Sequence, residues 1–205
     1  MKKRGAEFRH LFLRDMNPVV RLLIISDVVI MGAAGLFGPI FALFVEDFIV
    51  GGNEAVAGIA AGVYLFTKST LQIPIAHLID RIRGERDDFW LLFVFSMLMG
   101  LVPLLYLVIR TPIQLYAVQL VLGIFTAFTF PTFMAMFTRH IDRAKEGTEW
   151  GVYFTLVDMM SATFAVVGGY VAVSEGFPAL ITVVVILSFI GSLLLWPIRP
   201  YMRKR

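Results

Sequence analysis

Long apolar runs separated by short clusters of charged residues are the feature that most limits what this chain can fold into. Several runs reach the roughly 20 residues that a helix needs to cross a hydrocarbon core about 30 Å thick. The chain is 59% hydrophobic and only 16% charged, whereas soluble domains are usually about 25% charged. No stretch between the runs is long enough to form a separate soluble domain. The pattern predicts an all-α integral membrane protein.

Helix-start and turn signals divide the apolar sequence into six predicted transmembrane spans within one domain, residues 1–205. Asn17-Pro18 and Thr111-Pro112-Ile113-Gln114 are typical helix starts, in which a polar residue caps the first turn and proline follows it. Gly51-Gly52-Asn53 and Ser174-Glu175-Gly176 are typical turns. The predicted spans are residues 18–45, 54–79, 89–109, 112–138, 149–173 and 178–198.

The distribution of lysine and arginine predicts the orientation in the membrane. Sixteen of these residues lie in the N-terminal segment, the second and fourth loops and the C-terminal tail. The opposite side has one, Arg110, and Lys68 lies inside a span. Because basic residues collect on the cytoplasmic side, we expect both termini to be cytoplasmic in a cell (inner) membrane. This membrane rule accounts for the basic residues, so we expect no nucleic-acid partner.

Two pairs of similar segments predict an internal repeat. With three spans in each unit, residues 18–110 and 111–198 would have opposite orientations in the membrane, as the repeats of many transporters do. Pro39 and Pro131 lie at equivalent places in the two units and are candidate helix kinks. The matching pairs are Phe37–Phe41 with Thr129–Phe133 and Gly62–Tyr64 with Gly151–Tyr153.

Three ionisable residues fall inside predicted spans at similar depths. Asp27, Lys68 and Asp158 each lie about 14–18 Å from the predicted cytoplasmic end of their span, from the rise of a helix. Tyr64 and Gln72, four residues before and after Lys68, give that helix a polar stripe. Charges at this depth cost free energy and are functional candidates. One interpretation is an ion-pair switch in which Lys68 changes partner between the two aspartates, and the other is a static pair that holds two helices together.

The loop after the second span carries a recognisable motif. Residues 76–86 resemble the G-x-x-x-D-R-x-G-R-R signature of the major facilitator superfamily. Asp80 and Arg81 match in place, and Gly84 and Arg86 match with one inserted residue. The resemblance implies one six-helix half of the major facilitator fold. It also implies that Asp80, Arg81 and Arg86 form a cytoplasmic latch that stabilises one access state; a solvated basic loop is the plainer interpretation.

Two other places compare with the same family. Gly168-Gly169 resembles the glycine-rich end of its fifth helix, whereas Phe164-Ala165 stands where antiporters have Gly-Pro, which argues against antiporter chemistry. Gln119 replaces an arginine often found in the fourth helix. Since members typically have twelve helices, the resemblance implies a partner half, and the simplest partner is a second copy in a parallel two-fold homodimer.

The resulting functional hypothesis is secondary active transport of a small-molecule solute by alternating access across the lipid bilayer. Binding of protons or of the solute would change the partner of Lys68 in the ion-pair switch. The alternative is a non-transporting scaffold or assembly subunit, which has no use for charges at mid-depth. The sequence has no cluster that indicates an enzyme, a cofactor or a metal site, and it contains no cysteine. Thr126, Thr129 and Thr132 are expected to hydrogen-bond to their own helix.

Overall fold

A computed structural model of the chain describes residue 13 and residues 16–81 and 84–202. The regular elements in this part are all helical. The α-helices are α1 (Pro18–Phe37), α2 (Phe41–Phe48), α3 (Glu54–Arg81), α4 (Glu85–Leu101), α5 (Pro112–His140) and α6 (Glu146–Leu193), and the 3-10 helices are Gly38–Ile40, Val102–Leu107 and Trp196–Tyr201. The all-α class expected from the sequence is confirmed.

The predicted helix starts are present with their capping hydrogen bonds. The Asn17 side chain accepts a hydrogen bond of 2.9 Å from the backbone N–H of Val19, at the first turn of α1. At the start of α5 the Gln114 N–H donates to the Thr111 hydroxyl, and the Gln114 side chain accepts from the Thr111 N–H. These bonds satisfy backbone donors that have no partner within the helix.

Proline and glycine interrupt the helices at two places. Pro39 lies in the 3-10 helix that separates α1 from α2, so the first predicted span is broken there. Gly176 has φ 81°, a value that glycine adopts without strain. This residue divides α6 into α6a (residues 146–175) and α6b (residues 177–193). Pro131, in contrast, lies inside α5, which continues to His140, so its role as a kink stays a prediction.

Four of the described helical segments are long and apolar enough to cross a membrane: Pro18–Phe48, Glu85–Leu107, Pro112–His140 and Glu146–Tyr201. The last contains the α6a and α6b helices on either side of Gly176. Helix α3 has 28 residues but is not among the four, because Lys68 and several hydroxyl and amide side chains lower its hydropathy. The protein is therefore a multi-pass membrane protein, and the number of six spans stays a prediction.

Two helix pairs, α1 with α6 and α3 with α5, form the main contacts of the bundle. Both pairs approach closely at a glycine. A methyl group at Gly168 of α6 would collide with the backbone carbonyl of Leu36 in α1. A methyl group at Gly123 of α5 would lie 2.8 Å from the Tyr64 carbonyl oxygen and 2.9 Å from the Thr67 Cβ of α3. Small residues allow this kind of helix packing without a hydrophobic driving force.

The buried side chains form two main clusters along the bundle. One contains Phe44, Tyr106 and Phe177; the other contains Phe89 and Phe137 and lies toward the predicted cytoplasmic ends of the helices. On α1 the second cluster ends at Val28 and the first begins at Ala33. Asp27 therefore lies at the end of the second cluster, one turn or two before the first cluster begins.

Candidate functional site

The polar centre of the bundle is a hydrogen bond between α1 and α6a. The Tyr153 hydroxyl donates to Asp27 Oδ2 over 2.7 Å. Tyr153 is 7% exposed and packs in the second cluster against Phe133 and Phe137, which fixes its ring. This geometry holds the carboxylate of Asp27 at a defined position inside the membrane-spanning part of the bundle, with one oxygen bonded to a neutral donor.

Asp27 and Tyr153 line a cavity of about 100 Å³ enclosed by α1, α4, α5 and α6a. Polar groups line it on two further helices: Ser96 on α4 and Thr126 and Thr129 on α5. The remaining lining side chains are apolar: Ile30, Met31, Leu92, Met99, Phe130 and Phe133. A mostly apolar lining with a few convergent polar groups is typical of small-molecule sites, although the volume is below the roughly 300–1,000 Å³ of most ligand pockets.

Lys68 contacts one of the residues that line this cavity. Its ammonium Nζ lies 4.7 Å from the ring centroid of Phe130, a cation–π contact. Phe130 thus contacts Lys68 and also lines the cavity that contains Asp27. Among the residues that the structure describes, no ion pair joins Lys68 to Asp27 or to Asp158. Phe130 is therefore the residue through which Lys68 contacts the lining of the Asp27 cavity.

The other predicted site residues are distributed around this centre. Asp158 lies on α6a, one turn and a half beyond Tyr153, and its side chain is exposed on the surface of the bundle. Tyr64 and Gln72 are half-buried on α3, and the Tyr64 carbonyl lies at the contact with Gly123. The structure therefore connects Lys68 to the Asp27 cavity through Phe130, whereas the exposed Asp158 lies close enough to Tyr153 to act on it electrostatically.

The threonine hydroxyls of α5 bond to their own helix, as predicted. Thr126 donates to the Leu122 carbonyl over 2.8 Å, and Thr132 donates to the Phe128 carbonyl over 2.7 Å. Thr129 donates to the Thr126 carbonyl over 3.3 Å. The hydroxyl oxygens of Thr126 and Thr129, which line the cavity, still have lone pairs that a solute could use.

At the predicted cytoplasmic end, an ion pair joins α4 to α5. The Arg139 guanidinium contacts the Asp88 carboxylate, which is 2% exposed. The motif residues Asp80, Arg81 and Arg86 are exposed, and no hydrogen bond or ion pair joins them to another residue in the described ranges. Their role as a latch stays a prediction, and Asp88–Arg139 is a helix-end contact that the motif did not indicate.

A larger, open cavity of about 590 Å³ also lies at these helix ends. Asn17, Glu85, Arg139, His140, Asp142 and Arg143 are among its lining residues. It shares no residue with the lining of the Asp27 cavity. We place the candidate solute site at Asp27, because charge buried among membrane-spanning helices needs a functional reason and charge at helix ends does not.

Sequence reasoning did not identify Tyr153 and Phe130 as site residues. Both were visible as parts of the repeated segments, since Tyr153 occupies in the second unit the place of Tyr64 in the first. Their partners could not be read from the sequence, because Tyr153 and Asp27 are 126 residues apart.

The fold defines a multi-pass membrane protein with polar groups in its interior. Residues 23–205 match the family model of the Major Facilitator Superfamily. The chain belongs to the major facilitator superfamily, so it is a transporter domain, and the resemblance drawn from its motifs is confirmed. A search of the curated proteins found no match to the chain.

Proposed function

We propose that this chain is a secondary active transporter that works by alternating access, as a homodimer of six-helix units. The observation that carries this proposal is the Asp27 carboxylate, bonded to Tyr153 in a cavity between α1, α4, α5 and α6a. A carboxylate among membrane-spanning helices is costly to keep. A transport site repays that cost, because it needs a fixed polar group at mid-depth that both sides can reach in turn.

The proposed coupling element is the set formed by Asp27, Lys68 and Phe130. In the state described here, Asp27 is bonded to a neutral hydroxyl and Lys68 rests on an aromatic face. Rotation of the Phe130 side chain would open a path between the two charged groups. Lys68 would then pair with Asp27 in one access state and with Phe130 in the other. Uptake of a proton would remove the negative charge that Asp27 carries among membrane-spanning helices, which is the proposed route for proton coupling.

The packing supports the proposed inverted repeat. The repeat relates spans one and two to spans four and five, so it relates the α1–α6a contact to the α5–α3 contact. The main contacts of the bundle are α1 with the whole of α6, both α6a and α6b, and α3 with α5, and each of the two pairs has a close approach at a glycine. Pseudo-symmetric helix pairs that rock against each other are the usual basis of alternating access. In this proposal Pro39 and Pro131 supply the bending points.

The distribution of charge supports a proposed membrane location and orientation, the cytoplasmic latch and the charge of the solute. Basic residues at one set of helix ends favour a cell (inner) membrane location with cytoplasmic termini. On that side, the loop residues Asp80, Arg81 and Arg86 would form the latch, next to the Asp88–Arg139 contact. Two copies of Asp27, Lys68 and Asp158 give a central pathway of negative charge, which favours neutral or cationic solutes.

The test is uptake into proteoliposomes that contain a trapped pH dye. A panel of neutral and cationic solutes would be offered with and without an imposed proton gradient. We expect at least one solute to move protons with the wild-type chain, and Asp27→Asn and Lys68→Met to abolish that movement. Glu175→Gln, which removes an exposed charge at the turn before Gly176, is the matched control and should transport normally.

Two results would contradict the proposal. Unchanged and still pH-dependent uptake by Lys68→Met would remove Lys68 from the coupling mechanism. No movement of any solute by a folded wild-type chain, together with binding to an unrelated membrane protein, would favour the scaffold function instead.

A further inference from the structure

An arginine near the end of the described chain lies against two tryptophan rings. The Arg199 guanidinium carbon is 5.2 Å from the ring centroid of Trp196 and 5.7 Å from that of Trp90. Both distances are typical of cation–π contacts. Trp196 belongs to the 3-10 helix Trp196–Tyr201 and Trp90 belongs to α4, so two distant segments of the chain contact the same positive charge.

The local sequence accounts for the position of this arginine. Side chains three residues apart in a 3-10 helix lie directly above one another, which places Arg199 over Trp196. Pro197 and Pro200 lie within the same helix, and each proline fixes its own φ angle. The backbone that carries Arg199 therefore has little freedom to move the guanidinium away from the indole.

Buried side chains hold this 3-10 helix against the bundle. Three residues in it and beside it belong to the second cluster: Leu195, Ile198 and Met202. Trp90 and Trp196 are 42% and 45% exposed, and Arg199 is exposed beside them. The helix is thus anchored on its inner side and carries a positioned cation on its outer side.

Further ring contacts fix the two tryptophans. Trp90 and Trp196 meet edge to face, with their centroids 6.0 Å apart. Phe89 and Phe93 each contact both tryptophans, at centroid distances of 5.5–6.5 Å. Together, Trp90, Trp196 and Arg199 form a preformed surface feature, the Arg199 site.

The guanidinium group of this site has unused hydrogen-bond donors. An arginine side chain carries five N–H donors in a planar fork. In the described part of the chain, no hydrogen bond or ion pair joins them to an acceptor, and this includes the carboxylate of Asp87, one turn before Trp90 on α4. A planar fork held on aromatic rings is suited to a phosphate, which accepts two parallel hydrogen bonds.

An apolar stripe on α4 begins at the same place. Val94, Leu98 and Leu101 follow Trp90 by four, eight and eleven residues, and all three are exposed. These spacings put them on one face of the helix. A line of apolar side chains therefore runs from the Arg199 site along α4, away from the helix end.

The Arg199 site lies where the surface of the membrane is expected. Trp90 is five residues after Glu85, the first residue of α4, which is about 8 Å along the helix. Arg199 follows the sixth predicted span, at the helix ends that carry most of the basic residues. Tryptophan is enriched at the membrane–water interface, and the phosphates of anionic lipids attract basic residues at this level.

We propose that the Arg199 site binds the headgroup phosphate of an anionic phospholipid, whose acyl chains lie along the stripe of Val94, Leu98 and Leu101. Aromatic residues at a membrane surface, or an exposed apolar stripe, are each common in membrane proteins. Here a positioned cation and an apolar stripe are continuous, and they match the phosphate and the acyl chains of one lipid molecule. A free phosphate ion would use the cation alone. The proposed transport function is not needed for this inference.

Quenching of tryptophan fluorescence by brominated lipids measures this binding. The chain has three tryptophans, and Trp150→Phe leaves the two of the Arg199 site as reporters. The full chain would be reconstituted into phosphatidylcholine vesicles with an increasing fraction of phosphatidylglycerol, with bromine on the acyl chains of one lipid or the other. We expect phosphatidylglycerol to bind about fivefold more tightly, the factor that one basic residue contributes near an anionic surface.

Two substitutions of the arginine and one control identify the origin of the preference. Arg199→Gln should abolish it. Arg199→Lys keeps the charge but has neither the planar fork nor the flat stacking surface, so the preference should fall below about twofold. Arg143→Gln removes an exposed arginine at the same helix ends and should keep the fivefold preference. Circular dichroism of each variant shows whether the helices are intact, and added inorganic phosphate should not compete.

Four results would overturn the inference. Equal affinities for the two lipids would mean that the site does not select an anionic headgroup. An equal loss in Arg143→Gln and Arg199→Gln would show a general attraction to basic residues, and an unchanged preference in Arg199→Lys would show that charge alone suffices. Competition by inorganic phosphate would indicate a site for a free anion. Each result leaves the proposed transport function standing, because solute flux is measured separately.

Discussion

Replacing Gly168 with alanine tests how closely α1 and α6a approach each other. The added methyl group would overlap the Leu36 carbonyl oxygen and also approach the Leu36 Cα. These are backbone atoms, so no side-chain rotation can relieve the overlap and the two helices must separate. Overpacking of this kind costs about 1–3 kcal/mol. At about 2–4 °C per kcal/mol for a chain of this size, the unfolding midpoint should fall by roughly 2–12 °C.

The next residue supplies the matched control. A methyl group at Gly169 meets nothing within 4 Å, so Gly169→Ala should leave the midpoint unchanged or raise it, because alanine favours a helix by about 0.5–1 kcal/mol. Both variants would be purified in the same detergent and their thermal unfolding followed by circular dichroism. Equal midpoints for the two variants, or a stabilised Gly168→Ala, would refute the close contact between α1 and α6a.

Substitutions at three further contacts test them individually. Arg139→Ala should destabilise the protein by up to roughly 3 kcal/mol. The loss should exceed that of Asp88→Ala, because only Arg139→Ala leaves a buried carboxylate unpaired. Equal losses of the two variants in thermal unfolding would contradict this. Tyr153→Phe removes the hydroxyl that donates to Asp27, and a hydrogen bond to a charged group contributes about 1.5–3 kcal/mol. Solute flux into proteoliposomes should therefore fall while the fold is kept. Normal flux would exclude this hydrogen bond from transport. Asn17→Ala should cost about 1 kcal/mol and speed amide exchange in the first turn of α1, and unchanged exchange would show that the cap contributes nothing.

Features set by neighbouring residues could be predicted from the sequence. The caps at Asn17 and Thr111 formed as expected, because each depends on side chains within three residues of the backbone groups that they bond. The turn at Gly176 was also predicted, since a positive φ there favours glycine.

Features that depend on packing between distant segments could not be predicted. Pro39 and Pro131 have similar neighbours, yet one lies in a 3-10 break and the other inside a continuous helix. Tyr153 and Asp27 meet only because α1 and α6 pack together, and a cation–π contact between Lys68 and Phe130 depends on the packing of α3 on α5. The sequence identified charged groups at mid-depth but not their partners.

Access to the Asp27 cavity from the two sides of the membrane tests the central claim most directly. Ser96 lines the cavity and is 3% exposed, and Ser96→Cys places a nearly isosteric thiol there in a chain without other cysteines. The thiol would be labelled with a membrane-impermeant maleimide in sealed right-side-out and inside-out vesicles. Thr148→Cys, exposed at the start of α6, should react from one side only and so establishes a single orientation. Alternating access predicts that Ser96→Cys reacts from both sides, at rates that a transported solute changes. Reaction from one side only, or from neither, would contradict the account.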